Sequence, residues 1–207
     1  SNLGNVLTML GRHDEAIAAG LEAVRLEPER AEALNNLGHT YAEAGRSDDT
    51  LVTYERAAAL DPKSATAHAN LCTLLRTKGR LAEALEHGLT AVELDPQSVG
   101  AANNYGLALA TAGRHAEGLV HRERANALEP DHALSLLNLS STLRALGRYR
   151  EAVAASERLL KLDAKSAKAH GSLAMAYAEI GRLDEAVASI AHAAELEPED
   201  ARIRQNQ

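Results

Sequence analysis

The dipeptide Gly-Arg returns every 34 residues, at Gly11-Arg12, Gly45-Arg46, Gly79-Arg80, Gly113-Arg114, Gly147-Arg148 and Gly181-Arg182. A proline follows each glycine by 17 residues, at Pro28, Pro62, Pro96, Pro130 and Pro198, and Ala164 takes its place once. A period kept this strictly requires one supersecondary unit used repeatedly, not a single closed core. The expected units cover approximately residues 1–30, truncated at its start, then 31–64, 65–98, 99–132, 133–166 and 167–200. Residues 201–207 begin a further helix, and the whole of 1–207 is read as one solenoid.

Within one unit, Ala33, Leu34, Leu37, Gly38 and Tyr41 recur at helical spacing, which predicts a helix from about Ala31 to Ala44. Gly45 ends it, because glycine takes the left-handed conformation that closes a helix without a Cβ penalty. A second helix is predicted over Asp48 to Leu60, with Leu51, Tyr54, Ala57, Ala58 and Leu60 as its apolar side. Pro62 stops it, and Ser64, like Ser98, Ser166 and Asp200, is placed to cap the helix that follows. Each unit is therefore an antiparallel helix pair with a very short turn. Small residues twelve after the glycine (Ala23, Ala57, Ala91, Ala125 and Ala193, with Leu159 the exception) let helix axes approach. Leu3, Leu37, Leu71, Tyr105, Leu139 and Leu173, eight before it, are expected to fill the layer between hairpins. The same expectation holds for Leu26, Leu60, Leu94, Leu128, Leu162 and Leu196, fifteen after it. A lone hairpin cannot bury these faces, so stability comes from stacking on neighbours.

Composition agrees. The 207 residues are 45% hydrophobic yet contain no Phe, no Trp and five Tyr, which points to a thin core of Leu and Ala. A net charge of -7 argues against nucleic acid and anionic membrane surfaces as partners. The single cysteine excludes an internal disulfide framework and fits a reducing compartment, so the expected location is cytoplasmic. No apolar run reaches the roughly 18 residues that a membrane span needs. The opening Ser1-Asn2-Leu3-Gly4 matches the middle of later units (Asn36-Leu37-Gly38), and the chain is expected to be a piece of a longer protein.

The run Ala31-Glu-Ala-Leu-Asn-Asn-Leu-Gly-His-Thr-Tyr-Ala-Glu-Ala-Gly45 resembles a tetratricopeptide repeat, as does the stretch from Gly181-Arg-Leu-Asp-Glu-Ala186 through Ala193 to Leu196-Glu-Pro198. The resemblance covers essentially the whole chain. It implies an all-α, right-handed superhelical solenoid of about six stacked helix-turn-helix repeats, whose first helices line a concave groove for peptides or partner proteins. Two slots depart from the family pattern. The large aromatic nine after the glycine is here Gly20, Tyr54, Gly88, Arg122, Ser156 and Ile190; the small residue five after it becomes Thr50 and Gly118 in two units, which are expected to pack less regularly.

Nine before each glycine stand Asn2, Asn36, Asn70, Asn104 and Asn138, then Ser172. An amide offers one acceptor and two donors, so a ladder of them can grip a peptide backbone whatever the ligand's side chains. Asparagine is a mediocre helix former, and propensity does not explain its recurrence. Ligand contact and a hydrogen-bonding role between adjacent helices are both open. The ladder is similar to that in the repeat arm of protein O-linked N-acetylglucosamine transferases, where the groove holds acceptor polypeptide. A carboxylate clamp of the chaperone-adaptor kind is not expected, since Asn5, Asn36, Thr66 and Asn70 occupy its slots without the basic residues.

Peptide-binding candidates are Asn36, Asn70, Asn104, Asn138, Asn35, Asn103, His39, Thr73, Arg76 and Arg144, the two arginines as partners for a ligand carboxylate. Glu32, Glu43, Thr66, Thr77, Leu107, Thr111, Leu137, Ser141, Lys168, Met175 and Glu179 complete the expected groove. The arginine after each glycine is followed three residues later by an acid, read as local structure. Nine histidines include no pair four apart, and no metal site is expected. Cys72 is read as a small buried thiol. No cofactor and no catalytic residue is expected, because no phosphate loop, nucleophile elbow or carboxylate pair stands out from the repeat. The leading reading is a non-enzymatic interaction scaffold binding a protein or peptide. Two alternatives remain: the substrate-recognition arm of a larger glycosyltransferase-like enzyme, and a structural unit that self-associates through open solenoid ends.

Overall fold

The computed structural model describes residues 2–196, leaving aside the side chains of residues 2, 3 and 5. Expectations for the side chains of Asn2, Leu3 and Asn5, the stop at Pro198, the cap at Asp200 and a helix over 201–207 lie outside the described residues.

Among the described residues the chain is all helix, without a strand: α1 (Asn2–Met9), α2 (His13–Leu26), α3 (Ala31–Glu43), α4 (Ser47–Leu60), α5 (Ala65–Thr77), α6 (Leu81–Leu94), α7 (Val99–Thr111), α8 (His115–Leu128), α9 (Ala133–Ala145), α10 (Tyr149–Leu162), α11 (Ala167–Glu179) and α12 (Leu183–Leu196). Helices with Thr50 and Gly118, α4 and α8, run the same 14 residues as the other second helices, so neither departure shortens its element. Two compact units divide the chain, Ser1–Ala108 and Leu109–Gln207. In the first, each helix from α1 to α6 packs on the next, and α1 also meets α3; in the second, α8 to α12 do the same, and α9 also meets α11. This is a helical solenoid of stacked helix-turn-helix repeats.

Each first helix closes by one device. At α3, Gly45 has φ 71° and its N–H donates to the Ala42 carbonyl at 3.0 Å, while the Arg46 N–H reaches back to the Tyr41 carbonyl at 2.9 Å. This paired 5→2 and 6→1 pattern is the Schellman motif, and it satisfies carbonyls that the helix end would otherwise orphan. All six glycines of the beat take the same left-handed conformation, and all six arginines make the longer backbone bond. The motif ordinarily carries an apolar contact between its outer residues. Here the Arg46 guanidinium lies 4.9 Å from the Tyr41 ring centroid and that of Arg182 4.4 Å from Tyr177, a cation–π version of that contact. Each arginine also pairs with the acid three residues on, from Arg12–Glu15 to Arg182–Glu185. The serine caps form as expected, with Ser64, Ser98 and Ser166 accepting from the N–H groups of Ala67, Ala101 and Ala169. His132 caps α9 through Nδ1, a role unmarked in the repeat pattern.

Leu37, Leu71, Tyr105, Leu139 and Leu173 are buried, as are Ala57, Ala91 and Ala125. The leucines fifteen after the glycine correct the expectation. Leu26 is 64% exposed and Leu60, Leu94, Leu162 and Leu196 are also exposed, each at the last position of its helix, while Leu128 is half-buried.

The aromatic slot decides how each layer is filled. Tyr54 lies over Gly38, and Leu71, Leu75 and Ala84 complete its cluster. Where the slot is Gly20 or Gly88, the space is taken by Leu37 or by Tyr105 and Cys72. Arg122 carries its guanidinium from α8 to the Asn138 carbonyl and the Thr142 hydroxyl on α9. Ser156 joins a buried hydroxyl cluster in which Ser140 Oγ lies 3.1 Å from the Ala152 carbonyl, 2.7 Å from Ser156 Oγ and 2.9 Å from Ser172 Oγ. A serine has one proton to donate and the carbonyl only accepts, so Ser140 donates to Ala152 while Ser156 and Ser172 donate to Ser140.

Candidate functional site

The first unit contains a cleft of about 490 Å³, lined by His39, Ala42 and Glu43 of α3, Gly45 of the turn, Ser47, Thr50 and Tyr54 of α4, Asn70, Thr73, Leu74 and Thr77 of α5, and Asn104 of α7. Helical periodicity accounts for the alignment: residues three and four apart share a face, which places Asn70, Thr73, Leu74 and Thr77 along one side of α5. Four of the ten predicted residues meet here: His39, Asn70, Thr73 and Asn104. Repeat spacing understated Tyr54, whose signal was its being the one aromatic among six slots. Burial, reinforced by the Glu43 carboxylate, pushes its phenol up to about 12. The ring therefore stays neutral, as a wall of the cleft.

The ladder asparagines are not equivalent. Asn104 Nδ2 donates to the Ala69 carbonyl on α5 at 3.4 Å, a link between successive first helices. Among the described residues, the side chains of Asn36, Asn70 and Asn138 make no hydrogen bond, and all three are half-buried. Asn36 lines a different cleft of about 330 Å³, with Gly4, Gly20, Ala23, Leu26 and Arg30. Ser172, in the last ladder slot, is buried in the hydroxyl cluster.

Asn35 and Asn103, expected in the groove, are 7% and 4% exposed. Successive helical residues are turned by about 100°, so a residue adjacent to the ladder slot is directed toward packed helices. Arg76 is half-buried on α5 and lines neither cleft; Asn138 and Arg144 are half-buried on α9 in the second unit.

Cys72 is fully buried, its Sγ 3.7 Å from the Asn104 carbonyl, and burial pushes the thiol up to about 12, far from a reactive thiolate. His68 and His87 form a pair with Nδ1 atoms 2.8 Å apart, while His68 Nε2 lies 3.1 Å from the Pro62 carbonyl. The carbonyl can only accept, so Nε2 carries the His68 proton and His87 Nδ1 donates to His68 Nδ1. Burial, then His68, holds the His87 imidazole below its ordinary value. Among the described residues no three His, Cys, Asp or Glu side chains gather as metal ligands, and no helix is long and apolar enough to cross a membrane.

Family models described as TPR repeat or tetratricopeptide repeat match residues 4–45, 35–99 and 143–206. Comparison with curated protein sequences finds no match. Among solved structures, a thermophilic TPR protein of Thermus thermophilus is 27% identical with a TM-score of 0.69, over 85% of this chain and 96% of that one. The pilF protein of Pseudomonas aeruginosa aligns over 100% of this chain and 94% of its own, at 19% identity and a TM-score of 0.82. YrrB, a TPR protein with an unusual peptide-binding site, aligns over 87% and 93%, at 19% identity and a TM-score of 0.68. At 19% identity the latter two bear on the fold alone. Proteins of this repeat class are generally protein-interaction scaffolds. With its glycine-closed helix pairs, its stacked layers and these matches, the chain is built of tetratricopeptide repeats.

Proposed function

We propose that the protein is an interaction module that holds an extended peptide or partner segment in the cleft of its first unit, partly through ladder amides. The observation that carries this reading is Asn70. Its side chain lines the cleft beside His39, Thr73 and Asn104, and makes no hydrogen bond among the described residues. A half-buried amide without an internal partner is suited to pair with a ligand's backbone N–H and C=O. Asn104 then has two tasks, a link to α5 through Nδ2 and an acceptor at Oδ1. The peptide-binding site ascribed to YrrB lends support by analogy of fold.

The test is a peptide-library screen on the wild type, on Asn70→Ala alone and on the combined Asn36→Ala, Asn70→Ala, Asn104→Ala and Asn138→Ala variant. Asn70→Ala is expected to weaken binding several-fold, the loss of about one hydrogen bond, with an unchanged melting temperature. Undiminished binding by a folded combined variant would return the ladder to architecture.

A further inference from the structure

The cleft of the first unit is rich in acceptors and holds a single formal charge. The Thr73 hydroxyl donates to the Ala69 carbonyl at 3.2 Å and that of Thr77 to the Leu74 carbonyl at 2.7 Å. Each hydroxyl has one proton, so what these side chains retain for a ligand is oxygen lone pairs. Asn104 uses one amide hydrogen on Ala69 and keeps Oδ1 together with its second amide hydrogen. Glu43 supplies a carboxylate, an acceptor only when ionised, and neither lysine nor arginine lines the cleft.

Two neighbouring cations are engaged elsewhere. Arg46 pairs with Asp49 and lies over Tyr41, and Lys78 pairs with Asp48. Arg76, on α5 with Thr73 and Thr77, makes no ion pair with Glu43. Among the described residues Glu43 has no ion-pair partner at all. A charge-bearing wall of acceptors calls for a ligand group with several N–H donors and a positive charge. The apolar face of Tyr54, with Ala42 and Leu74, suits the methylene stem that carries such a group.

We propose that this cleft takes the lysine or arginine side chain of a bound peptide, with Glu43 as counter-ion and the Thr73 and Thr77 oxygens accepting its remaining N–H groups. This rests on the peptide-binding reading above and adds the chemistry of the anchoring residue. A terminal amine presents the same chemistry, so the test separates the two sources.

Peptides selected from a library by the wild type are synthesised with acetylated and with free amino termini, and with each basic residue replaced in turn by norleucine. Binding is measured by calorimetry against wild type, Glu43→Gln and Glu43→Lys. One basic residue is expected to dominate, its replacement weakening binding by roughly tenfold, the size of a charge-assisted hydrogen-bonded contact. Glu43→Gln should weaken the parent peptide by a similar factor and leave the norleucine peptide unaffected. Glu43→Lys should favour peptides with an acidic residue at that place. Terminal acetylation should change little; a large loss on acetylation would assign the cleft to a chain terminus and overturn the side-chain anchor. Selection of peptides without a basic residue, or equal effects of Glu43→Gln on both peptides, would overturn this inference and leave peptide binding standing. A library from which nothing binds would overturn both.

Discussion

Replacing Gly38 by alanine tests whether the aromatic slot governs the packing of a layer. A Cβ built on Gly38 would lie 2.5 Å from Tyr54 Cε1 and 2.6 Å from Cδ1, where carbon atoms ordinarily sit about 3.5–4.0 Å apart. The ring must retreat by about 1 Å to restore ordinary contact. It has little room to do so, since Tyr54 is 5% exposed and packs against Leu71, Leu75 and Ala84. Overpacking of a core costs about 1–3 kcal/mol, and so close a contact belongs in the upper half of that range. Alanine returns about 1 kcal/mol of helix propensity, which leaves a net loss of about 1–2 kcal/mol. Gly171 is the control, a glycine inside α11 whose added Cβ would meet nothing within 4 Å. There the same substitution keeps only the propensity gain and should stabilise by up to about 1 kcal/mol. Urea and thermal unfolding followed by circular dichroism would read the two variants in opposite directions. Each kcal/mol corresponds to about 2–4 °C for a chain of this size. Adding Tyr54→Leu should make the Gly38→Ala change less costly, as expected for two residues in contact. A Gly38→Ala protein as stable as the wild type would refute the account of the layer.

Three further outcomes follow from named contacts. Ser140→Ala should cost about 1–3 kcal/mol by orphaning the Ser156 and Ser172 hydroxyls, whereas the triple change to alanine should cost less than that single one; equal or additive losses in denaturant titrations would contradict the donor assignment. Asn104→Ala should lose about 0.5–1.5 kcal/mol with its link to Ala69 and Asn70→Ala should lose little, a difference readable from their melting temperatures. His87 faces His68 of α5, Glu83 and Glu86 of α6 and Glu55 of α4, and its folded-state value lies below the ordinary 6.5. The unfolded chain therefore takes up the proton first, so this part of the stability is complete above about pH 6.5 and falls as pH drops through the lower folded value. Stability followed as pH is lowered from about 7.5 through about 6.5 and below should fall more steeply in the wild type than in His87→Gln; parallel curves would remove His87 from the account.

Much of the fold follows from local rules that a single strand of text carries. The turn at Gly45-Arg46 depends on the dihedral angles of one glycine and on bonds to carbonyls within the same helix, so its recurrence announces every hairpin. The caps at Ser64 and Ser166 and the pairs from Arg12–Glu15 onward are equally short-range, and they stand where the spacing put them. The same spacing names His39, Asn70, Thr73 and Asn104 among its ten candidates, and these four line one cleft.

What the ruler could not supply is which side chain occupies a neighbour's space. Whether Gly38 leaves a hole depends on Tyr54 in the next helix, and the hydroxyls of Ser140 and Ser156, 16 residues apart, become a cluster only when two helices meet. Asn35 and Asn36 are adjacent in the chain, yet one is buried and the other half-open, because each turns toward a different neighbour. Leu60 looks like core by its residue type and is exposed by its position at a helix end. The sequence by itself determined the period, the helix ends and the rank of candidate positions, all set by interactions along one helix. Only the tertiary structure decided which of those positions open into the cleft, because exposure is a property of pairs of helices and of the volumes they bring together.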